Sequence, residues 1–487
     1  MSAPELRPYQ LAQLDAICTA RETGTNRVLV KSPTGTGKTV TFAAMLRYPR
    51  MQAWLASLPP KAGAKMLVIA HREELLDQAA EKIRAANPGL MISIEQGDRH
   101  ANSYSDVVIA SIQTLAARKF HRLQRLLQRH APRIVIVDEA HHAAAATYRT
   151  ALALLGFLPT TVSADGDAEA ATHDDVKVME AALRGWDAQA PKDRLLVGVT
   201  ATPNRSDAIG LGCVFQTIAY SYGLKDAIDD GYLAPIKPWV IETAESLDDV
   251  RVNRGDFNQK DLAETVNTPR RNRLALDGWK LYAGDRSTLA FTVDVQHARD
   301  AAALFRADGV QAAYVSGDTD RDERRGILAD YSAGRLQIVF NCMVLTEGTD
   351  LPRTSCILHM KPTKSATLYE QMTGRGLRLF DGKDNCIVLD LVDIARKHSL
   401  QAAPVLYGLP PGVKTKGDEL GKLADDFEQF REANPNFDVE AALRDGRLSM
   451  KELLDRASPF DVWRIPPLGV FGEGLAMNWI RSGDQDF

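Results

Sequence analysis

Short, continuously apolar segments alternate with longer segments of helical periodicity along most of this chain of 487 residues. Segments such as Leu75–Ile83 have the composition of helices. Strands that are apolar throughout are typical of a parallel sheet covered on both faces, so the pattern predicts an α/β domain with crossover helices. Up to about residue 205, the apolar runs are Val28–Val30, Met66–Ala70, Val107–Ala110, Ile134–Val137 and Leu195–Val199.

This alternation weakens after residue 205 and returns after residue 285. Pro235, Pro238 and the polar stretch Asp248–Lys260 predict a connection, with a helix beginning after Pro269. We therefore expect one α/β domain over residues 1–230, a connecting segment over 231–285 and a second α/β domain over 286–397. The apolar runs of the second domain are Leu289–Val293, Ala312–Val315, Gln337–Asn341, Cys356–Met360 and Cys386–Leu391.

The region 398–487 lacks the rhythm of strands and helices and is expected to be a small C-terminal extension. Leu420, Leu423, Phe427 and Phe430 recur at helical spacing, which predicts a helix with one packed face. Leu475–Arg481 predicts a strand, and the chain stops where its hairpin partner would begin. Our hypothesis is that the natural chain is longer or that this end is degenerate.

A further segment, from Pro159 to about Asp175, is rich in Thr, Ala, Gly and acidic residues. This composition predicts a surface insertion in the first domain.

Composition is that of a soluble globular protein, with 45% hydrophobic residues. No run of 18 apolar residues and no export-type N-terminal pattern occurs, so we expect a cytoplasmic protein without membrane contact. Five scattered cysteines without a Cys-x-x-Cys pair are expected to be reduced.

The net charge of −4 argues only weakly against nucleic-acid binding, because charge distribution matters more than the sum. Between Ser111 and Arg133 the charged residues are all basic: Arg118, Lys119, Arg122, Arg125, Arg129 and Arg133. This stretch is either a solvated helix face or a nucleic-acid-binding face, and both interpretations remain open. A second basic cluster is Arg270-Arg271-Asn272-Arg273.

The first candidate chemistry follows the run Val28–Val30. A glycine-rich loop ending in Gly-Lys-Thr leads there into the helix-compatible segment Val40–Leu46. Strand, loop and helix in this order predict a nucleoside triphosphate site, because glycines let backbone N–H groups close on phosphates. Lys38 would hold the outer phosphates, and the Thr39 hydroxyl would bind Mg²⁺. The phosphate-binding residues are predicted to be Pro33, Thr34, Gly35, Thr36, Gly37, Lys38 and Thr39.

Two adjacent carboxylates, Asp138 and Glu139, follow the apolar run Ile134–Val137. In a phosphate-loop site, Asp138 can hold Mg²⁺ through water and Glu139 can polarise the water that attacks the γ-phosphate. Both roles fit the carboxyl end of a neighbouring parallel strand, where open α/β sheets bind their ligands. The adjacent His141-His142 pair lacks partners at zinc-binding spacing, so no zinc site is expected.

Nine motifs stand in the order found in superfamily 2 helicases. They are Arg7-Pro8-Tyr9-Gln10, the Lys38 loop, Ala70-His71-Arg72, Ser111–Leu115, Asp138-Glu139-Ala140-His141, Thr200–Pro203, Leu289–Thr292, Leu345–Pro352 and Gln371–Arg378. Over residues 5–395 the chain thus resembles DEAD/DEAH-box helicases, and it looks most like the bacterial RadD-type and mitochondrial branch-migration DNA helicases. The resemblance implies two tandem RecA-like domains of the P-loop NTPase class. Thr349 departs from the Phe that relatives often have there.

The resemblance also implies a role for individual residues. Arg7 and Gln10 would bind the adenine, Gly348 would complete the ATP site, and Asp350, also in that site, would contact the ribose or bridge the domains. Gln371 would position the attacking water or the γ-phosphate. Arg375 and Arg378 would reach the γ-phosphate across a cleft between the domains. Residues implied to couple ATP to nucleic acid are His141, Thr200 and Thr202, and those implied to contact nucleic acid are Arg72, Gln113, Thr114, Ser316, Gly317 and Thr346.

Together these features lead us to expect an ATP-dependent, Mg²⁺-requiring nucleic-acid helicase or translocase, with DNA favoured over RNA. Three alternatives to this interpretation stay open. The first is an RNA helicase or remodeller, and the second is a motor subunit of a restriction or defence complex whose nuclease lies on another chain. The third is a binding module that ATP clamps onto a duplex. The C-terminal region is a candidate surface for a protein partner.

Overall fold

The computed structural model describes residues 5–61, 63–71, 74–159, 183, 185–187, 191–201, 211–253, 255–346, 349–394, 400–409 and 420–433. Two parallel sheets organise these residues, so the predicted tandem α/β architecture is confirmed. In this part of the chain, no helix is both long enough and apolar enough to cross a membrane.

The first sheet has seven parallel strands in the order β3-β4-β2-β5-β6-β1-β7. They are β1 (Arg27–Lys31), β2 (Met66–Ala70), β3 (Ile92–Glu95), β4 (Val107–Ser111), β5 (Ile134–Asp138), β6 (Leu195–Thr200) and β7 (Thr217–Ser221). Its helices are α1 (Pro8–Glu22), α2 (Lys38–Ala44), α3 (Pro49–Ser57), α4 (Glu74–Ala86), α5 (Ile112–Leu127) and α6 (Ala146–Leu154). Short 3₁₀ turns span Met45–Arg47, Ala140–His142 and Leu211–Cys213.

All five apolar runs predicted for this domain are strands. The pattern does not predict β3, which alternates apolar and polar residues, or β7, which is largely exposed. Each lies at an edge of the sheet, where neighbouring elements cover less of the strand.

The second sheet has six parallel strands in the order β12-β13-β11-β14-β15-β8. They are β8 (Ile236–Ser246), β11 (Thr288–Phe291), β12 (Ala312–Val315), β13 (Ile338–Asn341), β14 (Cys356–His359) and β15 (Cys386–Ile394), while β9 (Val252–Asn253) and β10 (Asp256–Phe257) form a separate antiparallel pair. The remaining helices are α7 (Leu224–Asp229), α8 (Gln259–Val266), α9 (Pro269–Ala283), α10 (Val295–Ala307), α11 (Arg321–Ser332), α12 (Ala366–Gly374) and α13 (Leu420–Ala433), with a 3₁₀ turn at Ala403–Tyr407.

The segment predicted as a connection, residues 231–285, differs from that expectation. β8 within it is an edge strand of the second sheet and pairs with β15. Its outer half is only alternately buried and it contains Pro238, as edge strands tolerate, so the sequence lacks a continuous apolar run. The second domain therefore begins near residue 236, and the connector between the two sheets is short.

Several basic residues noted in the sequence have structural partners. The guanidinium of Arg271 is fully buried and pairs with the equally buried carboxylate of Asp393 at 2.7 Å. Arg122 pairs with the buried carboxylate of Glu95. These arginines therefore stabilise the fold rather than form a free basic surface.

The C-terminal helix α13 confirms the predicted packed face. Leu420, Leu423 and Phe427 are buried in a cluster that also contains residues of α7. Lys225 Nζ on α7 lies 3.0 Å from Asp425 Oδ1 on α13. The side chain of Phe430, the run Leu475–Arg481 and nearly all of the Pro159–Asp175 insertion lie outside the described residues.

Candidate active site

The topology of the first sheet brings three of the sequence motifs to one edge. β6 lies between β1 and β5, with Thr200 opposite Lys31 and Val199 opposite Asp138. The phosphate loop, Thr200 and the Asp138-Glu139 pair therefore leave the carboxyl ends of adjacent parallel strands. This edge is where open α/β sheets bind ligands.

The phosphate loop is held by its own side chains. Gly35 and Gly37 have φ of +92° and +81°, a left-handed conformation that glycine adopts without steric cost. Ser32 Oγ and Thr36 Oγ1 are hydrogen-bonded at 2.7 Å, and Thr36 Oγ1 donates to the Pro33 carbonyl at 2.8 Å. Ser32, which stands where the common motif has Gly or Ala, thus contributes a hydroxyl that braces the loop.

Glu139 is the buried acid of the site. Its Oε1 lies 3.5 Å from Lys38 Nζ, and its Oε2 lies 3.5 Å from His141 Nδ1. Burial alone would raise the pKa of Glu139, but the charges of Lys38, His141 and Arg375 outweigh burial and lower it. Glu139 also has a left-handed φ of +49°, an uncommon conformation for a residue with a side chain. The carboxylate is therefore kept ionised beside the phosphate loop.

A cleft of about 350 Å³ is lined on one side by the phosphate loop and on the other by residues that directly follow α12. The arginines reach it from the second domain: Arg375 Nη1 and Arg378 Nη1 both donate to the Thr349 carbonyl, at 3.0 and 2.8 Å. Arg378 also pairs with Asp350 at 2.9 Å. Burial lowers the pKa of Arg378, and Asp350 opposes that effect. The predicted site residues that line the cleft are Arg7, Thr34, Gly35, Gly37, Lys38, Thr39, Asp138, Glu139, Asp350, Arg375 and Arg378.

Other predicted residues support the cleft without lining it. Gln10 is buried, and its Nε2 donates to the Thr36 and Gly37 carbonyls at 3.3 and 3.5 Å. Its Oε1 accepts from the Arg7 backbone N–H at 3.0 Å. The amide thus holds the loop to α1, and its predicted contact with adenine stays a prediction. Pro33, Thr36 and Gln371 are likewise buried outside the cleft lining.

A row of imidazoles leads away from Glu139. His141 Nδ1 is 3.2 Å from Thr200 Oγ1, and its ring lies 4.1 Å from that of His142. His142 in turn stacks on His71 at 4.0 Å. The two coupling candidates His141 and Thr200 are therefore in contact. The row ends at His71, which directly precedes the nucleic-acid candidate Arg72.

Three predicted residues, Arg72, Thr202 and Gly348, lie outside the described residues. The other nucleic-acid candidates follow the carboxyl ends of three strands: Gln113 and Thr114 follow β4, Ser316 and Gly317 follow β12, and Thr346 follows β13. Gly317 is exposed. Gln113 Nε2 donates to the His71 carbonyl at 2.7 Å.

Three of these candidates have hydroxyls in local turn contacts. The Thr114 hydroxyl is hydrogen-bonded to Ser111, that of Ser316 lies 3.3 Å from Thr319 Oγ1, and that of Thr346 donates to the Met343 carbonyl. Contact with nucleic acid stays a prediction for all of these candidates.

The structure adds cleft residues that no motif indicated. Tyr232 lines the cleft from the connector, and Gln78 and Lys82 line it from α4. Glu370, next to Gln371, is electrostatically coupled to Lys31, Lys38 and Glu139, and burial raises its pKa to about 7. For these residues the sequence offered one signal, the aromatic side chain of Tyr232 in the short connector. Gln78, Lys82 and Glu370 occupy ordinary helix positions, and nothing in the sequence distinguishes them.

The donor set at the cleft fits Mg²⁺. Thr39 contributes a hydroxyl and Asp138 a carboxylate, and both line the same cleft as Lys38. Oxygen ligands of this kind, together with water and phosphate oxygens, are what Mg²⁺ prefers.

Two family models match separate parts of the chain, one in each of the two parallel-sheet domains. The model of a family described as "Type III restriction enzyme, res subunit" matches residues 3–205. That of a family described as "Helicase conserved C-terminal domain" matches residues 276–380.

Among individual relatives, a Saccharomyces cerevisiae protein named as an ATP-dependent helicase, IRC3, is 33% identical over 412 residues, which cover 84% of this chain and 54% of that protein. A Schizosaccharomyces pombe protein named as a mitochondrial ATP-dependent helicase, irc3, is 31% identical over 439 residues, which cover 90% of this chain and 64% of that protein. The chain therefore spans less than two thirds of either relative.

A solved structure shares the fold. The ATP-dependent Type ISP restriction-modification enzyme LlaBIII, determined bound to DNA, superposes with a TM-score of 0.54 at 14% identity. The match covers 89% of this chain and 30% of LlaBIII. At this identity the likeness shows the arrangement of two parallel-sheet domains, which are RecA-like.

Proposed function

We propose that this chain, which carries the two conserved domains of the superfamily 2 helicases, hydrolyses ATP and uses the energy to move along nucleic acid. One observation carries the proposal: Lys38 and Glu139 of the first domain, whose Nζ and Oε1 lie 3.5 Å apart, line the same cleft as Arg375 and Arg378 of the second domain. A site that needs charges from both domains links the state of the nucleotide to the contact between the domains.

The residues divide the reaction among them. Backbone N–H groups of the loop and Lys38 bind the phosphates. Glu139, whose lowered pKa keeps it ionised at neutral pH, orients the attacking water and is the group that can accept its proton. Arg375 and Arg378 stabilise the charge that develops on the transferred phosphoryl group. Mg²⁺, held by Thr39 and Asp138, would neutralise phosphate charge when bound.

DNA is the substrate that we favour. The family that matches residues 3–205 is named for a restriction enzyme subunit, and LlaBIII was determined bound to DNA. The two helicase relatives are named for ATP-dependent activity, which fits the motor role. We also infer a cytoplasmic location, which rests on the sequence alone.

The test is steady-state ATPase activity at one stated salt concentration, since nucleic-acid affinity depends on salt. Parallel reactions would contain no nucleic acid, single-stranded DNA, duplex DNA, a four-way DNA junction or single-stranded RNA. We expect the greatest stimulation with DNA, followed by strand displacement or junction movement. Stimulation by RNA alone would assign the motor to RNA, and stimulated hydrolysis without movement would reduce the protein to an ATP-dependent clamp.

A second candidate function is a motor subunit of a restriction complex whose nuclease lies on another chain. The match to a family named for a restriction enzyme subunit favours it. The C-terminal helix α13 and the residues beyond it would then be the region that binds the partner. Stable co-purification of a nuclease, lost when residues 398–487 are removed, would support this candidate.

A further inference from the structure

Helix α12 sets the position of Arg375, because this arginine directly follows the last residue of the helix, Gly374. The helix has only nine residues. Isolated helices shorter than about 12 residues are marginal in water, so the position of α12 depends on the contacts of its buried face. Tyr369 and Thr373 lie on that face, one turn apart, and both are buried.

The first contact of this face joins α12 to strand β15. The hydroxyl oxygen of Tyr369 lies 2.9 Å from each carboxyl oxygen of Asp390, and both side chains are buried. Burial and the adjacent Asp390 raise the pKa of Tyr369 well above its usual range, so the hydroxyl keeps its proton and donates it. The backbone N–H of Ala403 donates to Asp390 Oδ2 at 3.1 Å. The carboxyl group is therefore held from two sides.

The second contact joins the next turn of α12 to strand β14. His359 Nε2 and Thr373 Oγ1 are hydrogen-bonded at 3.0 Å, and the ring of His359 stacks on that of Tyr369 at 4.5 Å. Burial lowers the pKa of His359 to about 3, so its imidazole is neutral at neutral pH. His359 and Asp390 stand opposite each other in the register of β14 and β15. Two paired strand positions therefore hold two successive turns of the helix.

These two polar contacts are directional, unlike the apolar packing beside them. Met372 belongs to one hydrophobic cluster with Ile357 of β14 and Val388 of β15. Hydrophobic contact depends little on direction, whereas a hydrogen bond weakens steeply as its angle falls. A buried polar group without its hydrogen bond is unfavourable, so a turned or shifted α12 would be destabilised at both contacts. The contacts therefore select one rotation and one register of the helix.

The nearly opposite face of α12 belongs to the candidate active site. Gln371, two residues after Tyr369, is about 200° away from it around the helix axis. Arg375 keeps helical backbone angles, with φ of −65° and ψ of −32°, and follows Gln371 by one turn on the same face. Arg375 lines the cleft. A rotation of α12 would therefore move the Arg375 guanidinium relative to the cleft.

We propose that Tyr369 and Asp390, supported by the contact between His359 and Thr373, are positioning residues for Arg375. They fix the rotation and register of α12, and with it the place of the guanidinium, without touching the nucleotide. The proposal rests on the ATP-dependent function proposed above. It makes the rate of hydrolysis depend on four buried residues, none of which lines the cleft as the structure describes it.

The test removes one hydroxyl and measures steady-state ATP hydrolysis. Tyr369→Phe keeps the ring and its stacking but breaks the contact with Asp390. We expect kcat to fall by about tenfold, since a displacement of about 1 Å at a reacting centre can reduce the rate on the order of 10²-fold. The KM for ATP should change by about twofold or less, because Arg375 acts mainly on charge that develops in the transition state.

Tyr331→Phe is the matched control. Tyr331 is a buried tyrosine of the same domain whose hydroxyl is hydrogen-bonded to Thr354 Oγ1 at 2.9 Å, but it lies on α11. The control should lose a similar amount of thermal stability and keep the wild-type kcat. A fall in its kcat as large as that of Tyr369→Phe would overturn the proposal, because it would trace the effect to a general loosening of the domain.

A double mutant separates positioning from structural support. In an Arg375→Ala background, Tyr369→Phe should lower kcat by about threefold or less, since the group that Tyr369 positions is absent. The same loss in both backgrounds would overturn the proposal. Asp390→Asn keeps an oxygen that accepts from Tyr369 and should retain kcat within about threefold of the wild type, whereas Asp390→Ala should lose as much as Tyr369→Phe does.

A binding measurement makes the test independent of turnover. The probe is ADP with Mg²⁺ and aluminium fluoride, which together mimic the transferred phosphoryl group. Tyr369→Phe should raise the Kd for this complex by the factor by which kcat falls and leave the Kd for ADP unchanged. Equal Kd values in wild type and variant would overturn the proposal. If Tyr369→Phe does not fold, Thr373→Val, which removes the partner of His359, is measured in its place against the same outcomes. Wild-type protein that binds the probe without hydrolysing ATP would contradict the proposed function alone.

Discussion

Gly374 at the end of α12 lies directly against Thr34 of the phosphate loop. A Cβ added to Gly374 would stand 2.8 Å from Thr34 Cβ, closer than two such carbons approach in proteins. The absence of a side chain at residue 374 therefore lets the arginine-bearing segment of the second domain reach the nucleotide loop of the first.

Gly374→Ala should lower kcat for ATP, because either α12 or the loop must move away to accommodate the methyl group. A displacement of about 1 Å at a reacting centre can cost on the order of 10²-fold in rate. Steady-state kinetics would measure the loss. Gly326→Ala is the matched control, since Gly326 also lies on a helix of the second domain and nothing lies within 4 Å of its added Cβ. An unchanged kcat in Gly374→Ala would show that turnover does not require this contact.

Glu139→Gln should bind ATP and fail to hydrolyse it, because the amide keeps the size of the side chain but cannot accept a proton from water. Lys38→Ala should instead lose affinity for the triphosphate. Calorimetric binding and phosphate release, measured on both variants, separate the two effects. Glu81→Gln, on an exposed position of α4, should behave as wild type. Normal turnover by Glu139→Gln would remove the assigned role.

Arg375→Ala should reduce kcat by on the order of 10³-fold or more, the usual contribution of an arginine that stabilises phosphoryl transfer. Its effect on the KM for ATP should be smaller, because Arg375 acts mainly on charge that develops in the transition state. Arg375→Lys should recover little, since lysine lacks the planar fork. Arg325→Ala, an exposed arginine of the same domain, serves as the comparison. Equal losses of kcat in Arg375→Ala and Arg325→Ala would refute the assigned role of Arg375 in phosphoryl transfer.

Asp390 should make stability depend on pH in an unusual direction. Its carboxyl group is buried, and it accepts hydrogen bonds from the Tyr369 hydroxyl and the Ala403 backbone N–H. Burial raises its pKa from 3.8 to about 7. The folded protein therefore binds a proton that the unfolded chain releases between these values, so this contribution to stability falls as pH rises from about 4 to about 7.

Asp390→Asn should flatten that part of the profile, by on the order of a few kcal/mol across the window. Thermal unfolding midpoints measured at intervals from pH 4 to pH 8 would show it. Asp381→Asn changes an exposed carboxyl of the same domain and should leave the profile as in the wild type. If the unfolding midpoint of Asp390→Asn changes with pH as steeply as that of the wild type, other groups cause the pH dependence.

The central strands could be predicted from the sequence because both of their faces are covered, which requires continuous apolar runs such as Met66–Ala70 and Ile134–Val137. Edge strands do not meet that requirement. β8 has a partly exposed outer half and contains Pro238, so the pattern resembled a linker. The consequence was a second domain that begins about fifty residues later in the prediction than in the structure.

Local motifs identified the loop at Lys38 and the acid at Glu139, because their chemistry depends on neighbours in sequence. Contacts between distant residues could not be predicted in the same way. Tyr232 lies more than two hundred residues from Arg7, and only the folded connector brings their side chains together. The engagement of Gln10 with the loop likewise depends on how α1 packs beside it.

The short connector has a mechanical consequence. It passes from β7 to β8 beside the nucleotide loop, where Leu233 touches Gly35, rather than at the far side of the domains. If the second domain rotates about this connector, as the proposed function requires, the nucleotide site beside the connector would move least and the surfaces farthest from it would move most. The size of the second domain would then set the length of each movement along nucleic acid.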